Sequence, residues 1–197
     1  MPHRPPTKQE TLDFFGHMTR IYRIKIIDKR SAPEMKIVAW FLDRAKIIDK
    51  RNFMKYYSVL LGNKLYLPFT PGDINDPDFP LSNQCATIIH ECQHREQQFK
   101  KGVFRWVWEY ATSSARRAAY EIEAYRTNME IHFWYTGRIL DPFRLGRILK
   151  NYSCTSRDIR IAQTSLARHA PYIKQGLIAS AATKKALDWI RKNWGGA

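Results

Sequence analysis

The chain has few acidic residues, few cysteines and no long apolar run, and each shortage excludes something. Three cysteines, Cys85, Cys92 and Cys154, form an odd set with no C-x-x-C pair. That argues against a disulfide framework and against a cysteine zinc site. Cys85 and Cys92 stand two turns apart if their segment is helical, which puts their Cα atoms about 10 Å apart, too far to bridge. All three read as buried free thiols, in keeping with a reducing compartment. No stretch reaches the roughly 20 apolar residues of a membrane span. The opening Met1-Pro-His-Arg-Pro-Pro lacks the apolar core of a secretory signal. The expectation is a soluble, cytoplasmic protein. Zinc-finger spacing, a helix-turn-helix signature and an RNP-like motif are all missing.

Acidic residues number 18 against 33 Lys and Arg, for a net charge of +15. The excess is uneven. Residues 1–55 hold 13 basic and 6 acidic side chains, residues 56–137 hold 8 and 9, and residues 138–197 hold 12 and 3. A near-neutral middle thus lies between two basic flanks, a pattern suited to contact with an anionic partner such as nucleic acid. The 44% hydrophobic content, with 6 Trp, 10 Tyr and 10 Phe in 197 residues, is enough for a real core.

The pattern along the chain predicts an α+β fold, mostly α, in three segments: a basic helical segment over 1–54, a core over 55–137 and a basic helical extension over 138–197. Residues 1–10 read as a loose leader. Pro33 opens a helix, with Ser31 or Ala32 near its cap. Lys-Ile-Ile-Asp-Lys-Arg occurs at 25–30 and again at 46–51, too short a repeat for a solenoid. β-Forming residues around Gly62-Asn63 predict a hairpin within 55–69, followed by a Pro-rich loop. Ser82 caps a helix that runs to Lys101 and stops at Gly102. An aromatic helix follows over 103–111, then a long one from Ser114 to Tyr135. Pro142 opens another toward Tyr152, with further helices over 156–170 and 181–193.

The segment His90-Glu91-Cys92-Gln93-His94 has the pattern H-E-x-x-H. Residues four apart on a helix project from one face, so both imidazoles can reach one metal ion. Glu91, rotated by about 100°, flanks the open side, where it can take a proton from water. Imidazole ligands suit zinc, which lowers the pKa of bound water to about 7. Two histidines leave such a site one ligand short. Glu121 and Glu123 in the 114–135 helix are the nearest candidates, and they face different ways, so only one can serve; His132 is a further candidate. The alternative for each glutamate is a solvated face among Arg116, Arg117 and Arg126.

His90 to Gln97, followed by Glu121-Ile122-Glu123-Ala124-Tyr125, resembles the gluzincin branch of the zincin metallopeptidases, and more closely small bacterial and phage peptidases with a glycine-turn hairpin ahead of the motif. Leu61 to Pro68 supply that hairpin, so the resemblance covers roughly residues 55–135. It implies a zincin-like core with the hairpin packed on the motif helix. It also implies Zn2+ on His90, His94 and Glu121, with Glu91 as general base and a protein or peptide as substrate. Many gluzincins have Asp where Tyr125 stands, to orient a ligand histidine; here Gln97 or Asn128 would take that role. Tyr110, Tyr125, His132 and Tyr135 are candidates for stabilising a developing oxyanion.

A second reading is a non-catalytic zincin-like structural or binding protein, for example a phage particle component. Its basic C-terminal helices would hold nucleic acid or another polyanion. Arg144, Arg147, Lys150, Arg157, Arg160 and Arg168 lie there among Phe143, Tyr152 and Tyr172.

Overall fold

A computed structural model describes residues 4–44 and 50–194. Within them the chain is mostly helical with one small sheet. The elements are α1 (Lys8–Tyr22), β1 (Lys25–Asp28), α2 (Pro33–Arg44), α3 (Lys50–Tyr56), β2 (Val59–Leu61), β3 (Lys64–Leu67), α4 (Leu81–Lys101), α5 (Val103–Thr112) and α6 (Ser114–Thr136). Then come α7 (Pro142–Ile148), a 3-10 turn (Leu149–Tyr152), α8 (Ser156–Lys174) and α9 (Ala181–Asn193). No helix among these residues is long and apolar enough to cross a membrane.

The expected hairpin is β2 and β3, turning at Gly62, whose φ of 60° suits a residue without a Cβ. A third strand escaped the sequence reading. β1 pairs parallel with β3, giving the order β1-β3-β2. Four residues of mixed burial leave no alternation long enough to mark a strand. The first Lys-Ile-Ile-Asp-Lys-Arg copy supplies β1, whereas most of the second falls outside the described residues.

Two helix starts also differ from expectation. Residues 8–10 belong to α1, where Thr7 and Glu10 close a capping box and satisfy two otherwise orphaned amides. The motif helix α4 begins at Leu81 after Pro80 and has no side-chain cap, so Ser82 does not serve as one. Gln84 organises this end instead: its Nε2 donates to the carbonyls of Asp73 and Phe79, and its Oε1 accepts from the Gly72 amide.

α4 buries Cys85, Ile88, Ile89 and Cys92 in a core shared with Phe14 and Met18 of α1, Leu65 and Leu67 of β3, Ile131 of α6, and Leu187 and Ile190 of α9. A second core joins α6 to α7 and α8, and a third joins α2 and α3 to Tyr66. Tyr152 packs against both of these. Cys85, Cys92 and Cys154 are free and buried, as expected. Lys101 ends α4, and Gly102, at φ 83°, turns the chain sharply into α5.

Candidate metal centre

His90 and His94 leave α4 on the face toward α6, where Glu121 meets them. Their ligand atoms all lie within 4.8 Å of one another, and no other group of this kind occurs among the described residues. Glu121 is only 1% exposed. Its Oε2 stands 3.5 Å from His90 Nε2 and its Oε1 3.5 Å from His94 Nε2. These gaps are too long for good hydrogen bonds. They match the separation of about 3.4 Å expected of two ligands placed about 2.0–2.1 Å from a tetrahedral ion.

The surrounding hydrogen bonds aim the rings. Gln97 Nε2 donates to the Tyr120 carbonyl at 3.0 Å and to Glu123 Oε2 at 3.0 Å. Trp106 Nε1, which can only donate, bonds Gln97 Oε1 at 3.2 Å. The amide of Gln97 therefore has one orientation, and its Oε1 must accept from His94 Nδ1, 2.9 Å away. His94 then carries a proton on Nδ1 and turns Nε2 toward Glu121. Asn128 Oδ1 stands 3.0 Å from His90 Nδ1 and does the same for that ring. Gln97 and Asn128 thus occupy the orienting positions expected of them. Tyr110 donates to Glu121 Oε1 at 2.7 Å, while the buried Oε2 has no hydrogen-bond partner.

Electrostatics follow from this packing. Burial alone would raise the Glu121 pKa, but the two imidazoles outweigh it and hold the carboxyl well below the usual carboxylate range. Burial opposes charge on His94, yet Glu121 prevails and the ring is raised to about 9. The gap between His94 Nε2 and the carboxylate therefore suits a proton or a cation. Burial pushes the Glu91 carboxyl up, against the pull of both histidines.

Glu91 and His90 line two cavities. One, of ≈ 550 Å³, is open and of mixed polarity, bordered by Asn52, Ser58, Thr87, Tyr125, Asn128 and Tyr152. The other, of ≈ 260 Å³, is largely apolar, walled by Met35, Val38, Phe53, Leu61, Trp106 and Val107. Tyr57, Ser58 and Tyr152 border both.

Of the other candidates, Glu123 stays outside the metal group and braces Gln97. His132 and Tyr135 line a separate cleft beyond Asn128. Tyr110 is committed to Glu121, and Tyr125 meets the His90 ring edge-on at 5.3 Å. Arg117, read as part of a solvated face, is buried and bonds the carbonyls of Tyr110, Ala111 and Tyr152, tying α5 and the 3-10 turn to α6.

Three site residues had no local signal in the sequence. Tyr57 and Tyr152 arrive from distant segments, and their rings meet edge-on at 5.3 Å. Lys29, fully buried, donates from Nζ to the carbonyls of Phe53 and Tyr57 at 2.6 and 2.7 Å. It thereby holds the segment that separates the two cavities. Burial lowers its pKa to about 7, against the opposing pull of Glu91.

No protein-family model, curated protein or solved structure matches the chain.

Proposed function

We propose that the chain is a zinc-dependent metallopeptidase of the zincin type, gluzincin-like, that cleaves an amide bond in a protein or peptide. The observation that carries this reading is the buried Glu121 carboxylate, whose Oε2 has no hydrogen-bond partner, set beside two imidazoles whose Nε2 atoms each stand 3.5 Å from one of its oxygens, His90 from Oε2 and His94 from Oε1. Two nitrogens and a carboxylate oxygen form a ligand set that suits zinc and leaves a position open. His90, His94 and Glu121 would hold the zinc ion, which would supply Lewis acidity to the scissile carbonyl and lower the pKa of water.

The protein's own residues do the rest. Glu91 accepts the proton of the attacking water and delivers it to the leaving amine; burial raises its pKa in the direction a base working near neutrality needs. Tyr125 and Tyr152 border the open cleft beside His90 and Glu91; burial keeps both hydroxyls protonated, and because the two are hydrogen-bonded to each other, the pair offers one donor toward a developing oxyanion. The apolar cavity accepts an apolar side chain next to the cleaved bond, and the open cleft accepts the continuing peptide.

The test is Glu91→Gln. It should bind zinc as wild type does yet cleave a mixed peptide library at least about 100-fold more slowly. Chelation should abolish wild-type cleavage. Equal cleavage by both proteins would show the reading to be wrong. A non-catalytic binding role has one observation in its favour, a basic hollow on α8 lined by Arg160, Thr164, Ser165 and Arg168. Zinc binding with no cleavage by wild type would favour that role.

A further inference from the structure

α5 has two apolar faces. Trp106 and Tyr110 turn inward, where their rings stack at 4.9 Å beside His94. Phe104, Val107, Trp108 and Ala111 form a second stripe at i, i+3, i+4 and i+7. Val107 and Ala111 line the apolar cavity next to the metal group. Phe104 and Trp108, 93% and 70% exposed, stand out into solvent. Phe99, 55% exposed at the end of α4, lies across the sharp Gly102 turn from them.

We infer that this α4–α5 corner docks the protein on an anionic lipid surface, with Phe104 and Trp108 entering the headgroup region. The local charge supports that occupant. Residues 99–116 carry Lys100, Lys101, Arg105 and Arg116 against one acid, Glu109. Glu109 is already engaged by Lys101, Arg105 and Tyr120. Aromatic side chains among basic ones are the composition of an interfacial anchor, and each cation near the surface adds to the attraction. The chain's net charge of +15 acts in the same direction at longer range.

Two other occupants fit less well. A second copy would bring like charges together, and three side chains offer far less than the about 800 Å² per partner of a stable interface. Nucleic acid would need stacking faces in a groove. Here Phe104 and Trp108 stand out in solvent and line none of the cavities described above, and the Phe99 ring is already covered by the Arg95 guanidinium at 4.2 Å.

The test uses the full chain in co-sedimentation with phosphatidylcholine vesicles, with and without phosphatidylglycerol. Wild type should bind only the anionic vesicles, and Phe104→Ser/Trp108→Ser should bind them at least about tenfold more weakly. Ile74→Ser/Leu177→Ser, which removes exposed apolar groups elsewhere, should bind as wild type does. Any of four results overturns the proposal. These are no binding to anionic vesicles, undiminished binding by the α5 variant, loss of binding to a single-stranded oligonucleotide in place of vesicles, or a wild-type dimer that the α5 variant converts to monomer.

Discussion

At the residue scale, the amide of Gln97 does most to define the metal centre. Its two donors and two accepted bonds leave no alternative orientation, so the His94 tautomer follows from hydrogen-bond accounting. Gln97→Leu removes that constraint while keeping a similar volume. Zinc affinity should fall roughly 10- to 100-fold, measured by competition with a chromophoric chelator. Unchanged affinity would mean that the ring is held by packing alone. Lys29 offers a pH test. Its folded pKa of about 7 lies below the about 10.4 of an unfolded lysine. Between those values the unfolded chain binds more protons, so this group makes stability rise with pH. Relative to Lys29→Met, wild type should gain on the order of 1 kcal/mol per pH unit between about 7 and 9 in urea denaturation. Parallel curves for the two proteins would contradict the buried-amine account.

At the scale of elements, the site was legible where chemistry repeats along one helix and obscure where it crosses the fold. His90 and His94 could be read as a pair because one turn of α4 sets their spacing. Glu121 was read through a second helix at the right remove. The choice between Glu121 and Glu123 needed the α4–α6 packing, since both are carboxylates on one helix and only rotation separates them. Tyr57 and Tyr152 could not be read, because their approach depends on how α3, the 3-10 turn and α6 assemble. The position of Tyr152 depends in turn on the α7–α8 crossing, where Gly146 lies against Gln163. A Cβ on Gly146 would come 2.5 Å from Gln163 Cγ and 3.0 Å from its backbone nitrogen. Gly146→Ala should therefore push α7 from α8 and cost about 1–3 kcal/mol in urea denaturation. A neutral effect would show that this crossing is loose.

At the scale of the whole molecule, the sequence indicates a mostly helical chain with a small β element, and the structure has that form. Most helices lie within a few residues of where caps and glycine stops place them. The third strand was missed because so short an element is fixed by its distant partner β3, and local pattern carries little of that information. The start of α1 did carry a local signal, the Thr7-x-x-Glu10 capping box, which the Pro-rich leader ahead of it obscured. α1 and α9 converge on the same core, and α9 also reaches toward the metal centre. Its Ala182 amide donates to Gln93, whose Nε2 faces Glu123, the brace of Gln97.

The account depends on one divalent cation held by three side chains that two helices bring together. Zinc content of the purified full-length protein, measured by elemental analysis in wild type, His94→Ala, Glu121→Ala and Glu123→Ala, tests this most directly. The expectation is about one zinc per chain in wild type, little in His94→Ala and Glu121→Ala, and weaker but measurable retention in Glu123→Ala. A folded wild-type protein that takes up no zinc when the metal is supplied, or a Glu121→Ala variant that holds it as firmly as wild type, would contradict the account.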